Sequence, residues 1–184
     1  MKFCTRVGWL VVLLAFGGAV HGQGVAGLPA NVSMADKFKQ QIAALSVAEP
    51  SMSAPVSMAS AVFPAQLRAG QRAVVVIKVK ILPGWHIYAY VPPSKPYIVT
   101  RKRLDLPSAL QAEGDWQNPP ARPYALDSTL FVWEGEQVFT REIEVARGAA
   151  GKQTLSAGLI YQTCNRKVCL PPAKKIDRLM LTIL

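Results

Sequence analysis

The sequence predicts an all-β fold, an antiparallel sandwich preceded by one short helix. Three observations lead to this prediction. From about residue 61 onward, short runs of Val, Ile, Leu and aromatic residues are separated by Pro and Gly, which is typical of sandwich domains. Within several runs apolar and polar residues alternate, so one face of each strand can enter a core. No helical periodicity follows Leu45.

The predicted strands follow one another through the second part of the chain. Alternation is clearest in three runs, at residues 75–81, 155–161 and 179–183. Four further runs rich in strand-forming residues lie at residues 85–90, 110–116, 130–133 and 138–145. We therefore expect about seven or eight strands in two sheets. The Pro-rich segments 91–96 and 118–123 are expected to be loops at the ends of the sandwich.

The N-terminus has the pattern of a signal peptide over residues 1–22. Lys2 and Arg6 precede an apolar run at residues 7–20, and small residues follow near Gly22, where we expect cleavage. The run is shorter than the roughly 18 to 20 apolar residues of a membrane-spanning helix, and no later stretch approaches that length. The mature chain is therefore expected to be exported and soluble, with a retained signal anchor as the alternative.

A segment rich in Ala, Ser, Met, Pro and Gln, residues 23–55, separates the signal peptide from the predicted domain at residues 56–184. Ser33 and Asp36 have the spacing of a capping box, and the apolar residues that follow them fall on one face of a helix ending near Leu45. We expect that face to pack on the chain's own domain. Packing against a partner is the alternative.

The chain is basic, with 21 Lys and Arg residues against 11 Asp and Glu residues and a formal net charge of +10. The charge is +8 once the two basic residues of the signal peptide are removed. The basic residues are scattered or form short clusters, as at residues 101–103 and 174–175. This distribution and export argue against nucleic-acid binding. The charge favours solubility and attraction to acidic partners or to a membrane surface, including peripheral membrane contact.

Two cysteines remain after loss of Cys4 with the signal peptide. Cys164 and Cys169 are an even number in an oxidising compartment, so we expect them to pair. Four residues separate them, which allows the two to face each other across the mouth of a hairpin. Pro171-Pro172 then interrupts the ladder, because proline cannot donate a backbone hydrogen bond.

The chemistry of this pair is open between a structural staple and thiol:disulfide exchange. Closing so small a loop stabilises the fold by only about 2 kcal/mol in the chain-entropy account. Arg166 and Lys167 lie inside the loop, where positive charge favours a thiolate. Both points favour exchange. A zinc site is not expected, since two thiolates and His86 do not complete a tetrahedral set, and the spacing is not that of a thioredoxin motif.

Two segments together resemble the N-terminal domain of the thiol:disulfide interchange protein DsbD, over roughly residues 56 to 184. The first is Tyr161-Gln162-x-Cys164 followed by Cys169-x-Pro171-Pro172, and the second is Gly84-Trp85-His86-Ile87-Tyr88. The resemblance implies an immunoglobulin-like domain without metal or organic cofactor. It also implies that the cysteines take electrons from a membrane-embedded donor and pass them to periplasmic thioredoxin-fold proteins, including disulfide isomerases and cytochrome c maturation factors.

The resemblance also assigns roles to individual side chains. His86 and Tyr88 are expected to flank the disulfide, and Gln162 belongs to the same motif. A cap that shields the cysteines corresponds to residues 130–133, with Phe131 and Trp133 as its aromatic members. The acidic pair that precedes this cap in the family is missing here. Because aromatic residues are favoured in strands, Trp85 and Trp133 are by themselves expected in core or edge packing. Tyr161 is expected in the core, since its parity along its run places it on the apolar face.

The sequence thus predicts a periplasmic redox relay, and the alternative is a non-catalytic binding or assembly domain with a structural disulfide. The sequence given encodes neither a membrane domain nor a thioredoxin domain after the cysteines, so the donor is expected to act in trans. Cys164 directly follows a strand and should be the enclosed sulfur. Cys169 follows the basic loop and should be easier to approach. In the family the second cysteine forms the mixed disulfide, which agrees with this assignment.

Overall fold

The structure is a computed structural model and describes residues 33–184. The predicted signal peptide at residues 1–22, its cleavage point near Gly22, and Cys4 lie outside the described residues. Within residues 33–184 there are one helix and twelve strands. In chain order they are α1 (Met34–Ala44), β1 (Val56–Phe63), β2 (Gln66–Leu67), β3 (Arg72–Ile81), β4 (His86–Tyr90), β5 (Arg101–Asp105), β6 (Leu110–Gln117), β7 (Arg122–Tyr124), β8 (Asp127–Trp133), β9 (Glu136–Val145), β10 (Gly151–Tyr161), β11 (Thr163–Cys164) and β12 (Ala173–Ile183).

The strands form three sheets of four strands each, in the orders β1-β3-β9-β6, β2-β12-β10-β5 and β11-β4-β8-β7. Neighbours are antiparallel except for the short pairing of β2 with β12, which is parallel. The predicted all-β class and immunoglobulin-like sandwich are confirmed. The third sheet was not predicted, and it carries the cysteine region.

The main core contains the inward faces of the first two sheets. β3 and β9 contribute Ile77 and Phe139, while β10 and β12 contribute Leu159 and Leu181, all of them fully buried. Tyr161 lies in the same core, as its parity along β10 predicts. Large apolar side chains of this kind each stabilise the fold by about 1.5–3 kcal/mol on full burial.

Helix α1 packs on the domain's own first sheet, as expected. Ser33 caps its N-terminus, with its Oγ accepting a hydrogen bond from the Asp36 backbone N–H at 3.1 Å. The Phe38 ring meets Phe63 of β1 edge to face, with centroids 6.3 Å apart. At the other end Lys78 Nζ donates to the carbonyl oxygens of the last turn, at 3.3 and 3.4 Å. Lys78 is therefore buried, although the alternation of apolar and polar residues along β3 predicts that its face of the strand is exposed to solvent.

Among the strands that the sequence pattern does not predict are β5 and β7. The run Arg101–Asp105 has the composition of a charge cluster, yet it forms β5, in which Arg101, Arg103 and Asp105 are exposed and the alternate residues are partly buried. Arg122–Tyr124 contains a proline and lies at the edge of its sheet, which is where a strand tolerates one. Within the described part of the chain, no helix has the length and apolar character needed to cross a membrane.

Candidate functional site

A disulfide joins Cys164 and Cys169 at the mouth of a hairpin. The two residues form an antiparallel bridge with Cα atoms 4.0 Å apart. The next rung is closed by the Leu170 backbone N–H, which donates to the Thr163 carbonyl oxygen at 3.0 Å. Cys164 is only 1% exposed, whereas Cys169 is exposed to solvent. The predicted pairing and the predicted difference in accessibility are both present in the structure.

The loop between the cysteines is ordered by one side chain. Asn165 Oδ1 accepts hydrogen bonds from the backbone N–H groups of Lys167 and Val168, at 2.8 and 2.9 Å. The Asn165 N–H in turn donates to the Val168 carbonyl oxygen at 2.9 Å. Arg166 and Lys167 are thereby held exposed beside the disulfide. Their positive charge favours the thiolate form of a cysteine that is released from the bond.

His86 lies directly opposite Cys164 on the neighbouring strand of the third sheet. The two are register partners in the pairing of β4 with β11, and Thr163 Oγ1 donates to the His86 carbonyl oxygen at 3.0 Å. The imidazole is 2% exposed, and its Nε2 has no hydrogen-bond partner. Burial lowers the pKa of His86, an effect that the negative charge of Glu134 opposes. Burial therefore favours the neutral form of the imidazole.

Aromatic rings extend from His86 along the same side of the third sheet. The Tyr88 ring meets His86 edge to face at 5.1 Å and is stacked on Tyr97 at 4.9 Å. Tyr124 approaches the other side of the imidazole, with centroids 4.5 Å apart. Burial raises the pKa of Tyr88, and the neighbouring tyrosines add to the effect. His86 and Tyr88 thus lie on the same side of the third sheet as Cys164, and Tyr97 and Tyr124, which no sequence pattern singles out, pack against them.

A tight turn joins β7 to β8, and we call residues 124–127 the hairpin tip. A groove beside the disulfide, the disulfide groove, is lined by residues of the hairpin tip, by Tyr97 and by residues 165–169. Lys95 Nζ bonds to Asp127 Oδ2 at 2.8 Å, which ties the tip to the loop after β4. The hydrogen bond that Lys95 donates to Asp127, together with the weaker effect of the hydrogen bonds from Thr129, lowers the pKa of this carboxyl to about 2.

The predicted cap at residues 130–133 is corrected by the structure. These residues are part of β8, so their side chains alternate between the two sides of the sheet. Leu130 and Val132 pack with Tyr88 and Cys164. Trp133 instead enters the main core, and Phe131 packs edge to face on Tyr90, so neither aromatic covers the disulfide.

The Gln162 side chain forms hydrogen bonds to two backbone groups near the cysteine hairpin. Its Oε1 accepts from the Ile98 backbone N–H at 3.0 Å, and its Nε2 donates to the Leu170 carbonyl oxygen at 3.4 Å. Both ends of the amide are therefore engaged inside the domain. Within residues 33–184, no group of three or more His, Cys, Asp or Glu side chains is arranged to hold a metal ion.

Comparison with known proteins gives one family and several structures. Residues 53–181 match the family described as thiol:disulfide interchange protein DsbD, N-terminal. The chain is similar to the N-terminal periplasmic domain of ScsB from Proteus mirabilis, with a TM-score of 0.46 and 16% identity over 76% of this chain and 51% of that one. It thus spans about half the length of that structure. No curated protein sequence matches the chain.

Two further structures show the same level of similarity. The reduced N-terminal domain of DsbD from Neisseria meningitidis aligns with a TM-score of 0.39 and 18% identity, over 59% of this chain and 77% of that one. The GAE domain of GGA2p from Saccharomyces cerevisiae aligns with a TM-score of 0.41 and 10% identity, over 77% of this chain and 100% of that one.

Proposed function

Because the chain belongs to the family of DsbD N-terminal domains, we propose that residues 56–184 form a periplasmic exchange module that relays electrons through Cys164 and Cys169. The donor is a dithiol at the membrane, and the acceptors are thioredoxin-fold proteins. In this proposal residues 1–22 are removed as a signal peptide, and the 23–55 segment precedes the module. The observation that carries it is the asymmetry of the disulfide, with one sulfur enclosed and the other open to the disulfide groove.

Reduction of the module begins at Cys169. A donor thiolate attacks Cys169 Sγ, the bond to Cys164 breaks, and Cys164 leaves with the bonding electron pair. The donor's second thiolate then attacks the donor sulfur of this mixed disulfide and releases Cys169. The donor is now a disulfide, and the module has gained two electrons and two protons as a dithiol. Because access is one determinant of the exchange rate, attack at Cys164 is disfavoured by its burial.

Transfer to the acceptor runs in the opposite direction. The Cys169 thiolate attacks the acceptor disulfide and forms a mixed disulfide, and Cys164 then attacks Cys169 Sγ. This step restores the disulfide of the module and releases the acceptor as a dithiol. Arg166 and Lys167 support the first attack, because nearby positive charge stabilises the Cys169 thiolate.

The walls of the disulfide groove suit a protein partner. Leu126 of the hairpin tip is 63% exposed and Val168 of the cysteine loop is 48% exposed, and both line the disulfide groove together with Cys169. Exposed apolar side chains beside a reactive group are typical of a docking surface. Basic charge from the cysteine loop adds attraction to an acidic partner surface.

Two single-cysteine variants test the proposal. Cys164→Ser leaves a free thiol at the open position and should form a covalent complex with a disulfide-form thioredoxin-fold protein, visible by non-reducing electrophoresis. Cys169→Ser is the matched control, and we expect it to form little complex because the remaining sulfur is enclosed. Stronger trapping through Cys164 would reverse the assignment. No trapping by either variant would favour the alternative, a structural disulfide in a binding domain.

A further inference from the structure

His86 has a buried nitrogen without a hydrogen-bond partner, and its register partner on the neighbouring strand is Cys164, where a thiol forms on reduction. Directly opposed residues of an antiparallel pair have Cβ atoms about 4.5–5.5 Å apart, with both side chains on the same face of the sheet. His86 and Cys164 are such a pair, and both are almost completely buried. Because a buried polar atom without a partner carries a free-energy cost, its presence here needs an explanation.

We propose that His86 accepts the proton of the Cys164 thiol and so generates the thiolate that resolves the mixed disulfide with the acceptor. This inference rests on the proposed exchange function. It gives the His86 imidazole a role in the reduced protein that it does not have in the disulfide form. In the disulfide, Cys164 Sγ carries no proton and Nε2 has no partner. In the dithiol, the Cys164 S–H becomes a donor within the same enclosed space.

The proton and electron balance of the step is simple. The thiol proton of Cys164 moves to His86 Nε2, and the resulting thiolate attacks Cys169 Sγ. The bond between Cys169 and the acceptor breaks, and the acceptor sulfur leaves with the electron pair. The imidazolium then gives its proton to that leaving sulfur or to water. Two electrons reach the acceptor, and His86 ends neutral as it began. A cysteine paired with a histidine is a known arrangement for activating a thiol nucleophile.

The surroundings of His86 favour this role. Tyr88 on the same strand and Tyr124 from β7 contact the imidazole by their rings, and neither hydroxyl forms a hydrogen bond to it. Glu134, after β8, is the charged group whose field favours the imidazolium. Cys164 is the register partner of His86 on β11. Burial lowers the pKa of His86 and so favours the neutral imidazole, which can take up a proton.

The decisive comparison is single-turnover exchange by wild type, His86→Phe and His86→Gln. Each variant is first checked by thermal melting of its disulfide form. Phe removes both the proton-accepting nitrogen and the hydrogen bond that it would form with the Cys164 thiol of the reduced protein. Gln keeps a polar amide that cannot take up a proton. At pH 7 we expect resolution to be slowed by about 10²-fold in both variants, so that the mixed disulfide at Cys169 accumulates. The difference should shrink above about pH 9, where a thiol ionises without a base.

A partner-free measurement separates failure of this inference from failure of the proposed function. In the reduced protein, the Cβ chemical shift of Cys164 is followed against pH by NMR. With His86 present, the thiolate pairs with an imidazolium, so the midpoint should be at least about one pH unit lower than in His86→Phe. Equal midpoints, or an exchange defect that persists unchanged at pH 9, would overturn the role of His86. Wild-type protein that exchanges with no thioredoxin-fold protein, while retaining the lowered midpoint, would overturn the proposed function alone.

Discussion

Replacing Trp133 should destabilise the domain strongly, whereas replacing Phe131 two residues earlier should not. Trp133 is 4% exposed, packs edge to face on Phe139 with centroids 4.9 Å apart, and donates from Nε1 to the Pro119 carbonyl oxygen at 3.0 Å. Lys102 Nζ also lies 5.5 Å from the centre of its ring. Phe131 is 38% exposed and lies outside the main core.

The expected magnitudes follow from these contacts. Truncating a buried Trp to Ala costs about 3–5 kcal/mol, a range that already includes the aromatic pair and the hydrogen bond. Truncating Phe131 should cost about 1 kcal/mol, because more than a third of its surface is in water already. With a urea dependence of about 2 kcal/mol/M, Trp133→Ala should lower the urea midpoint by about 1.5–2.5 M and Phe131→Ala by about 0.5 M.

The same variants decide which residues cover the disulfide. If the two aromatics formed a cap, their truncation would speed reduction by a small thiol, because access is one determinant of the rate. Their positions in the structure imply unchanged reduction rates in protein that remains folded. Faster reduction of folded Phe131→Ala, or a stability loss below about 1 kcal/mol for Trp133→Ala, would refute the placement described above.

Three other perturbations have definite expected outcomes. Leu126→Ala, at the hairpin tip, should speed reduction by a small thiol several-fold, and an unchanged rate would mean that the tip does not limit access. The pKa of Asp127 is about 2 in the folded protein, against 3.8 ordinarily. Its pairing with Lys95 therefore stabilises the folded state fully above about pH 4, and this stabilisation is lost as the pH falls through about 2. In Lys95→Ala the NMR titration midpoint of this carboxyl should rise toward its ordinary value. Gly158→Ala should lower the thermal midpoint clearly, because an added Cβ would lie 2.0 Å from a backbone oxygen of β12. An unchanged melt would show that the two strands separate easily there.

Alternation predicted the central strands well because it reflects burial on one face. The run at residues 155–161 forms the end of β10, and the alternating Leu155, Ala157, Leu159 and Tyr161 are buried as expected. β5 escaped prediction because Arg101, Arg103 and Asp105 dominate its composition. The Nζ of its inward-facing Lys102 lies 5.5 Å from the Trp133 ring centre and 5.7 Å from the Phe139 ring centre, a placement that the sequence does not reveal.

The site was predicted in part, for a related reason. The cysteine pair and the His86–Tyr88 segment each carry a local pattern, and the sheet brings them together through one short strand pair. Tyr97 and Tyr124 directly follow the two Pro-rich segments and have no pattern of their own, so only the tertiary fold places them beside Tyr88 and His86. Residues 130–133 cannot act as one cap, because a strand sends alternate side chains to opposite sides of its sheet.

The proposed function requires that the Cys164–Cys169 disulfide is opened and closed in a domain that stays folded. Equilibrating the purified protein in glutathione buffers, with thermal melting of both forms, tests it most directly. We expect a measurable equilibrium between disulfide and dithiol, and a cooperative melt of the reduced form, since this small loop contributes only about 2 kcal/mol to stability. A disulfide that resists glutathione, with a potential below about −300 mV, together with loss of the fold on forced reduction, would contradict the claim and leave a structural disulfide.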